Sequence, residues 1–115
     1  MARLLNVRRN DGESMDSLRN RLESELESIG VDYVGRIGNF EATSRFPSAY
    51  VFESPGEGGF VLEYDKGMRV SLVEEDSPSA VADVVLVPVG ATGSLVQRVY
   101  SHLKQKTDCF ERIVE

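Results

Sequence analysis

The stretch from Val31 to Val73, VDYVGRIGNFEATSRFPSAYVFESPGEGGFVLEYDKGMRVSLV, reads as four or five short strands, each turned back by its own turn signal. Val31, Tyr33 and Ile37 alternate with Asp32, Val34 and Arg36, the period of two that a half-buried strand needs. Gly38-Asn39 suits a two-residue hairpin turn, because both residues tolerate positive φ. Phe40, Ala42 and Phe46 then face one way, and Glu41, Thr43 and Arg45 the other. Pro47-Ser48 is a turn, since proline presets φ and cannot donate to a ladder. Ala49–Ser54 is apolar on both faces through Tyr50, Val51 and Phe52. The segment Ser54-Pro55-Gly56-Glu57-Gly58-Gly59 reads as a loose, glycine-rich loop. Beyond it, Phe60, Leu62 and Tyr64 alternate with Val61, Glu63 and Asp65. Asp65-Lys66-Gly67 predicts a three-residue hairpin, and Met68, Val70 and Leu72 return along the partner strand.

The segments around this meander read as its cover. Residues 3–8 form a first strand, with Leu5 and Val7 on one face and Asn6 and Arg8 on the other. Met15, Leu18, Leu22, Leu26 and Ile29 recur at spacings of three and four, a narrow apolar helical stripe that needs one surface to pack on. Asn10 with Glu13 offers a capping box, Ser14 offers a second cap, and Gly30 sits where a C-cap belongs. Arg19–Glu23 and Arg21–Glu25 are spaced for pairing on the outer surface. The acidic run Glu74-Glu75-Asp76 ends the meander. Residues 81–89 are nearly all apolar, which predicts a central strand buried on both sides. A second helix follows, with Ser94 and Gln97 as its capping box and Leu95, Val96, Val99, Tyr100 and Leu103 as its apolar arc. Thr107-Asp108 then reads as a stop, leaving residues 109–114 as a short edge strand.

These elements predict a single α+β domain over residues 1–115. Its mainly antiparallel sheet has about six to seven strands around the central meander, with two helices packed on one face. If the first helix is a crossover, the first strand lies parallel to a neighbour. The element order also fits a curved, helix-grip-like sheet with a C-terminal helix, which would enclose a cavity lined by the aromatic side chains of the meander.

The chain carries 19 acidic and 13 basic residues, a net charge of −6. That field is opposite in sign to the one a nucleic-acid binder needs. No segment approaches the ~20 apolar residues of a membrane helix, and the N-terminal residues lack the apolar run of a signal peptide. One cysteine, Cys109, excludes an intrachain disulfide, and the compartment expected is the cytoplasm. One histidine and one cysteine do not make a transition-metal site, and no cofactor is expected.

Two sets of residues remain as candidate sites. Arg36, Glu41, Arg45, Glu63 and Arg69 would form a charged lattice on one sheet face, suited to binding a protein partner. Gly90, Thr92, Gly93 and Ser94 join a buried strand to a helix N-terminus, where backbone N–H groups can hold an anion. This second set lacks the P-loop lysine and the third glycine of the dinucleotide pattern. No nucleophile–base pair is legible, and His102 has no orienting carboxylate near it in sequence. The residues therefore point to a non-enzymatic, acidic protein-binding module of the inhibitor, immunity or regulatory kind. A carrier of an apolar small molecule is the second reading, and an enzyme using a carboxylate or His102 the third. Oligomeric state is not legible.

Overall fold

The computed structural model describes residues 2–37, 49–64 and 84–114. In chain order these form β1 (Ala2–Val7), α1 (Met15–Glu27), β2 (Asp32–Ile37), β3 (Ala49–Ser54), β4 (Gly58–Tyr64), β5 (Val84–Val89), α2 (Gly93–Lys106) and β6 (Cys109–Val114). The strands make one open six-stranded sheet, ordered β2-β3-β4-β5-β1-β6, and every adjacent pair is antiparallel. β1 is thus antiparallel to both its neighbours, and the parallel crossover that the first helix allowed is not formed. The expected turns at Gly38-Asn39, Pro47-Ser48 and Asp65-Lys66-Gly67, the strands over 40–46 and 68–72 and the acidic run at 74–76 lie outside the described residues.

Both helices contribute to one core with a single face of the sheet. From α1 come Leu18, Leu22 and Leu26, all fully buried, and from α2 come Leu95, Val96, Val99, Tyr100 and Leu103. Beneath them the strands supply Leu5, Val7, Tyr50, Phe52, Phe60, Leu62, Val84 and Leu86. The inward residues alternate along each strand, as the pleat demands. Burial on this scale is the main stabilising contribution, about 1.5–3 kcal/mol for each large side chain.

Local chemistry explains the element ends. Ser14 caps α1, its Oγ accepting from the Ser17 N–H at 3.1 Å. Asn10 and Glu13 instead form the turn before it: Glu13 N–H donates to the Asn10 carbonyl at 2.9 Å, and Asn10 N–H to Glu13 Oε1 at 3.0 Å. Thr92, not Ser94, caps α2, with Oγ1 accepting from Leu95 N–H at 3.1 Å. Both residues have an acceptor hydroxyl, but the helix begins two residues earlier than the Ser94–Gln97 spacing suggests. Arg19 pairs with Glu23 at 3.0 Å as expected, whereas Arg21 turns back to Glu13 at 2.9 Å.

Three departures from simple alternation shape the surfaces. First, the β2–β3 register shifts between Tyr33 and Gly35, so that Arg36 lies opposite Tyr50 and joins the helix side of the sheet. Alternation alone had put Arg36 opposite in face to Tyr33. Second, the loop between Ser54 and Gly59 is not loose. Ser54 pairs with Gly58, Glu57 N–H donates to the Ser54 carbonyl at 3.0 Å, and Pro55-Gly56-Glu57 make a tight hairpin tip. Third, β5 pairs with β4 over residues 84–89 but with β1 only over residues 84–86. Pro88 has no N–H with which to extend a ladder. Two-sided burial of this strand accordingly holds for Val84–Leu86 and fades to 55 % exposure at Val89.

Candidate functional site

Where β5 leaves β1, a cleft of about 280 Å³ opens, lined by Ala2, Arg3, Pro88, Gly90, Ala91, Gly93 and Val96. Tyr100, buried on α2, ties down the end of β1 beside it. Its hydroxyl donates to the Arg3 carbonyl at 2.6 Å, an acceptor beyond the end of the β1–β5 ladder. Burial of that phenol pushes its ionisation well above the usual tyrosine range. Gly90 and Gly93, from the anion-binding set, line this cleft. Thr92 does not face an anion: its N–H donates to the Glu57 carbonyl at 2.9 Å and its hydroxyl caps the helix, while Ser94 is exposed.

The nearby cation is already matched. Arg3 Nε donates to Glu111 Oε2 at 2.6 Å and Nη2 to Glu111 Oε1 at 3.2 Å, and the guanidinium lies 5.6 Å from the Tyr100 ring centroid. Lys104 Nζ reaches Glu111 Oε1 at 2.9 Å. The hydrogen bonds from Arg3 and Lys104 hold the Glu111 carboxyl down at about 2, and the same contact raises Arg3. With Arg3 neutralised by Glu111, the cleft offers an anion little beyond a helix N-terminus.

Of the charged lattice, the structure describes Arg36 and Glu63; Glu41, Arg45 and Arg69 lie outside the described residues. The register shift in β2 separates the described two. Arg36 shares the helix side with Tyr50, while Glu63 lies opposite Val85 on the face that carries no described helix. That second face has acidic members in Asp32, Glu53 and Glu63 among the described residues, and a cation, Arg112, lies on β6, where Nε donates to Asn6 Oδ1 at 2.7 Å. The Arg112 bond also explains how Asn6, on this face, is only 3 % exposed.

Between the acidic residues and the exposed Val89 lies an apolar hollow of about 230 Å³, formed by Val51, Gly59, Val61 and Val89 with Glu53 at its rim. Glycine at 59 is what makes it a hollow. A side chain there would place its Cβ 2.3 Å from the Phe52 carbonyl oxygen, so the strands can approach only without one. Gly58 has the same role against the other element: its φ is +95° and a Cβ would stand 2.1 Å from the Gly90 carbonyl oxygen. The hairpin tip is thereby pressed onto the β5–α2 turn. Glu57 locks it there, accepting from Arg98 Nη2 at 2.8 Å and from the Ser54 hydroxyl at 2.7 Å, bonds that hold its carboxyl at about 2.

His102 has an orienting carboxylate after all. Its Nε2 lies 3.1 Å from Glu25 Oε1, bridging the two helices, and neither residue lines the cleft or the hollow. Burial raises the Cys109 thiol, the direction of an unreactive cysteine. Among the described residues, no three His, Cys, Asp or Glu side chains are grouped to hold a metal ion, and no helix is long and apolar enough to cross a membrane. The Arg3–Glu111–Lys104 network, the Glu57–Arg98 lock and the Glu25–His102 bridge each join residues from separate elements, and nothing local in the sequence marks them. Comparison with known proteins finds no matching family model, no similar curated protein and no similar solved structure.

Proposed function

We propose that this chain is a non-enzymatic protein-binding module of the cytoplasm, an inhibitor or regulatory protein whose contact surface is the sheet face carrying no described helix. The observation that carries this reading is the open apolar hollow at Val51, Gly59, Val61 and Val89, flanked by Glu53, Glu63 and Asp32. An apolar pocket with a polar rim is the usual anatomy of a protein-binding hot spot. The acidic rim and the net charge of −6 select a partner that inserts one large apolar side chain flanked by lysine or arginine.

The other two readings draw less support. The layer between sheet and helices is filled by Phe52, Phe60, Leu62, Leu86, Leu95 and Tyr100, which favours a packed interior over a carrier's cavity. His102 bonds to Glu25 outside both concave surfaces, which disfavours an acid–base role.

Affinity capture with the wild-type chain and with Val61→Arg and Val89→Arg tests the proposal. A protein retained by the wild type, released by added salt and lost with either variant at unchanged thermal stability is the expected result. Equal capture by all three chains would overturn it.

A further inference from the structure

We propose that the chain forms a two-fold homodimer in which β6 pairs antiparallel with β6 of a second copy, centred on Glu111. This concerns a different surface from the sheet-face hollow.

β6 is the end of the sheet, and among the described residues it pairs only with β1. Open edges are normally guarded by a bulge, a proline or outward charges. The opposite edge, β2, has such guards: a register shift and exposed Asp32 and Arg36. β6 has none. Its register with β1 is unbroken over all six residues and it contains no proline. Its two charged side chains are turned inward, Glu111 onto Arg3 and Lys104 and Arg112 onto Asn6. What remains outward is apolar: Ile113 is 58 % exposed, Phe110 46 % and Val114 39 %.

The backbone determines how a second copy would fit. Arg8 N–H donates to the Asp108 carbonyl at 2.9 Å, in the same register as the β1–β6 ladder. Hydrogen-bonded pairs alternate along an antiparallel ladder. Phe110, Arg112 and Val114 therefore bond to β1, and the N–H and C=O groups of Cys109, Glu111 and Ile113 point away from the sheet. A two-fold axis normal to the sheet keeps each copy's faces aligned, so odd residues must meet odd residues. Centring on Glu111 is the register that engages all three, with about six hydrogen bonds. Centring on Arg112 would leave Cys109 without a partner in the strand and set Arg112 against its own copy.

The side chains agree with that register. Cys109 meets the second copy's exposed Ile113 on the helix side. On the other side Phe110 lies across from the aliphatic stem of the second copy's Arg112, whose guanidinium stays on Asn6. The two central glutamates would repel if bare, but each is already bonded to Arg3 and Lys104.

Sedimentation equilibrium of the full chain over a concentration series should return the mass of two chains. Ile113→Pro removes only an outward N–H and leaves the β1 ladder intact, and Ile113→Lys places a charge opposite Cys109. Each should raise the dimer dissociation constant about tenfold or more, the equivalent of one or two lost hydrogen bonds. Far-UV circular dichroism checks folding, and Ile113→Lys carries the test if the proline variant does not fold. The register is read by Ile113→Cys, which on oxidation should form a covalent dimer between position 113 and Cys109 of the other copy, while the wild type does not crosslink. A wild type that stays monomeric at every concentration, a dimer indifferent to both Ile113 variants, or an oxidised Ile113→Cys dimer without that link would each overturn the proposal.

Discussion

At the residue scale, the carboxylates that organise this surface are those that leave the pattern of their own element. Glu57 lies in a hairpin tip and Glu111 on an edge strand, yet each is held at about 2 by cations from elsewhere, Arg98 for the first and Arg3 with Lys104 for the second. Their folded ionisation lies below the ordinary carboxylate value of 4.5. The stability each contributes is thus fully present above that value and lost as pH falls towards 2. Both pairs are partly solvated, so added salt weakens the effect. Urea midpoints measured from pH 6 to pH 2 should be flat at first and then fall, and Glu57→Gln and Glu111→Gln should each flatten the fall. An unchanged acid limb in the double variant would contradict this. Tyr50 and Tyr100 share the alkaline limb: burial and a hydrogen bond to Asp16 push Tyr50 up to about 12, burial pushes Tyr100 higher still, and stability is lost as pH rises above 10.

At the element scale, periodicity was a reliable guide to existence and a poorer one to ends. Leu18, Leu22 and Leu26 announce α1 because a helix that buries one stripe must repeat it every three or four residues. The start of α2 was less legible, since Thr92 and Ser94 are both competent caps and only the backbone of the preceding turn selects between them. Thr92 is chosen because its N–H is held by the Glu57 carbonyl, in a hairpin about 35 residues away by chain order. Thr92→Ala should therefore cost about 1 kcal/mol in urea denaturation. Ser94→Ala should stay within about 0.5 kcal/mol of wild type, as an exposed substitution away from any cap. The reverse order would show that the helix begins where the spacing of Ser94 and Gln97 implied.

At the scale of the whole molecule, the sheet order places β3, β4, β5 and β1 inside and, among the described residues, leaves β2 and β6 as edges. Amide exchange should follow that order. Leu62, Leu86 and Leu5, fully buried and paired on both sides, should exchange only through global unfolding. Arg36, beyond the register shift of an edge strand, should exchange orders of magnitude faster through local opening, and equal protection at these positions would count against the sheet order. Composition and pattern alone were enough to set the class of this protein: an α+β chain with an antiparallel sheet, two helices over one face, and a break at Thr107-Asp108 that makes the last segment an edge strand. Those features follow from periods and turn chemistry, which act over a few neighbouring residues. The surfaces were settled by longer-range geometry. A one-residue register shift moved Arg36 to the opposite face from Glu63, Pro88 ended the β1–β5 ladder and opened a cleft, and Gly58 let a hairpin close against the next turn. Each depends on which strands meet and in what register, and side-chain periodicity within one segment carries no record of its neighbours.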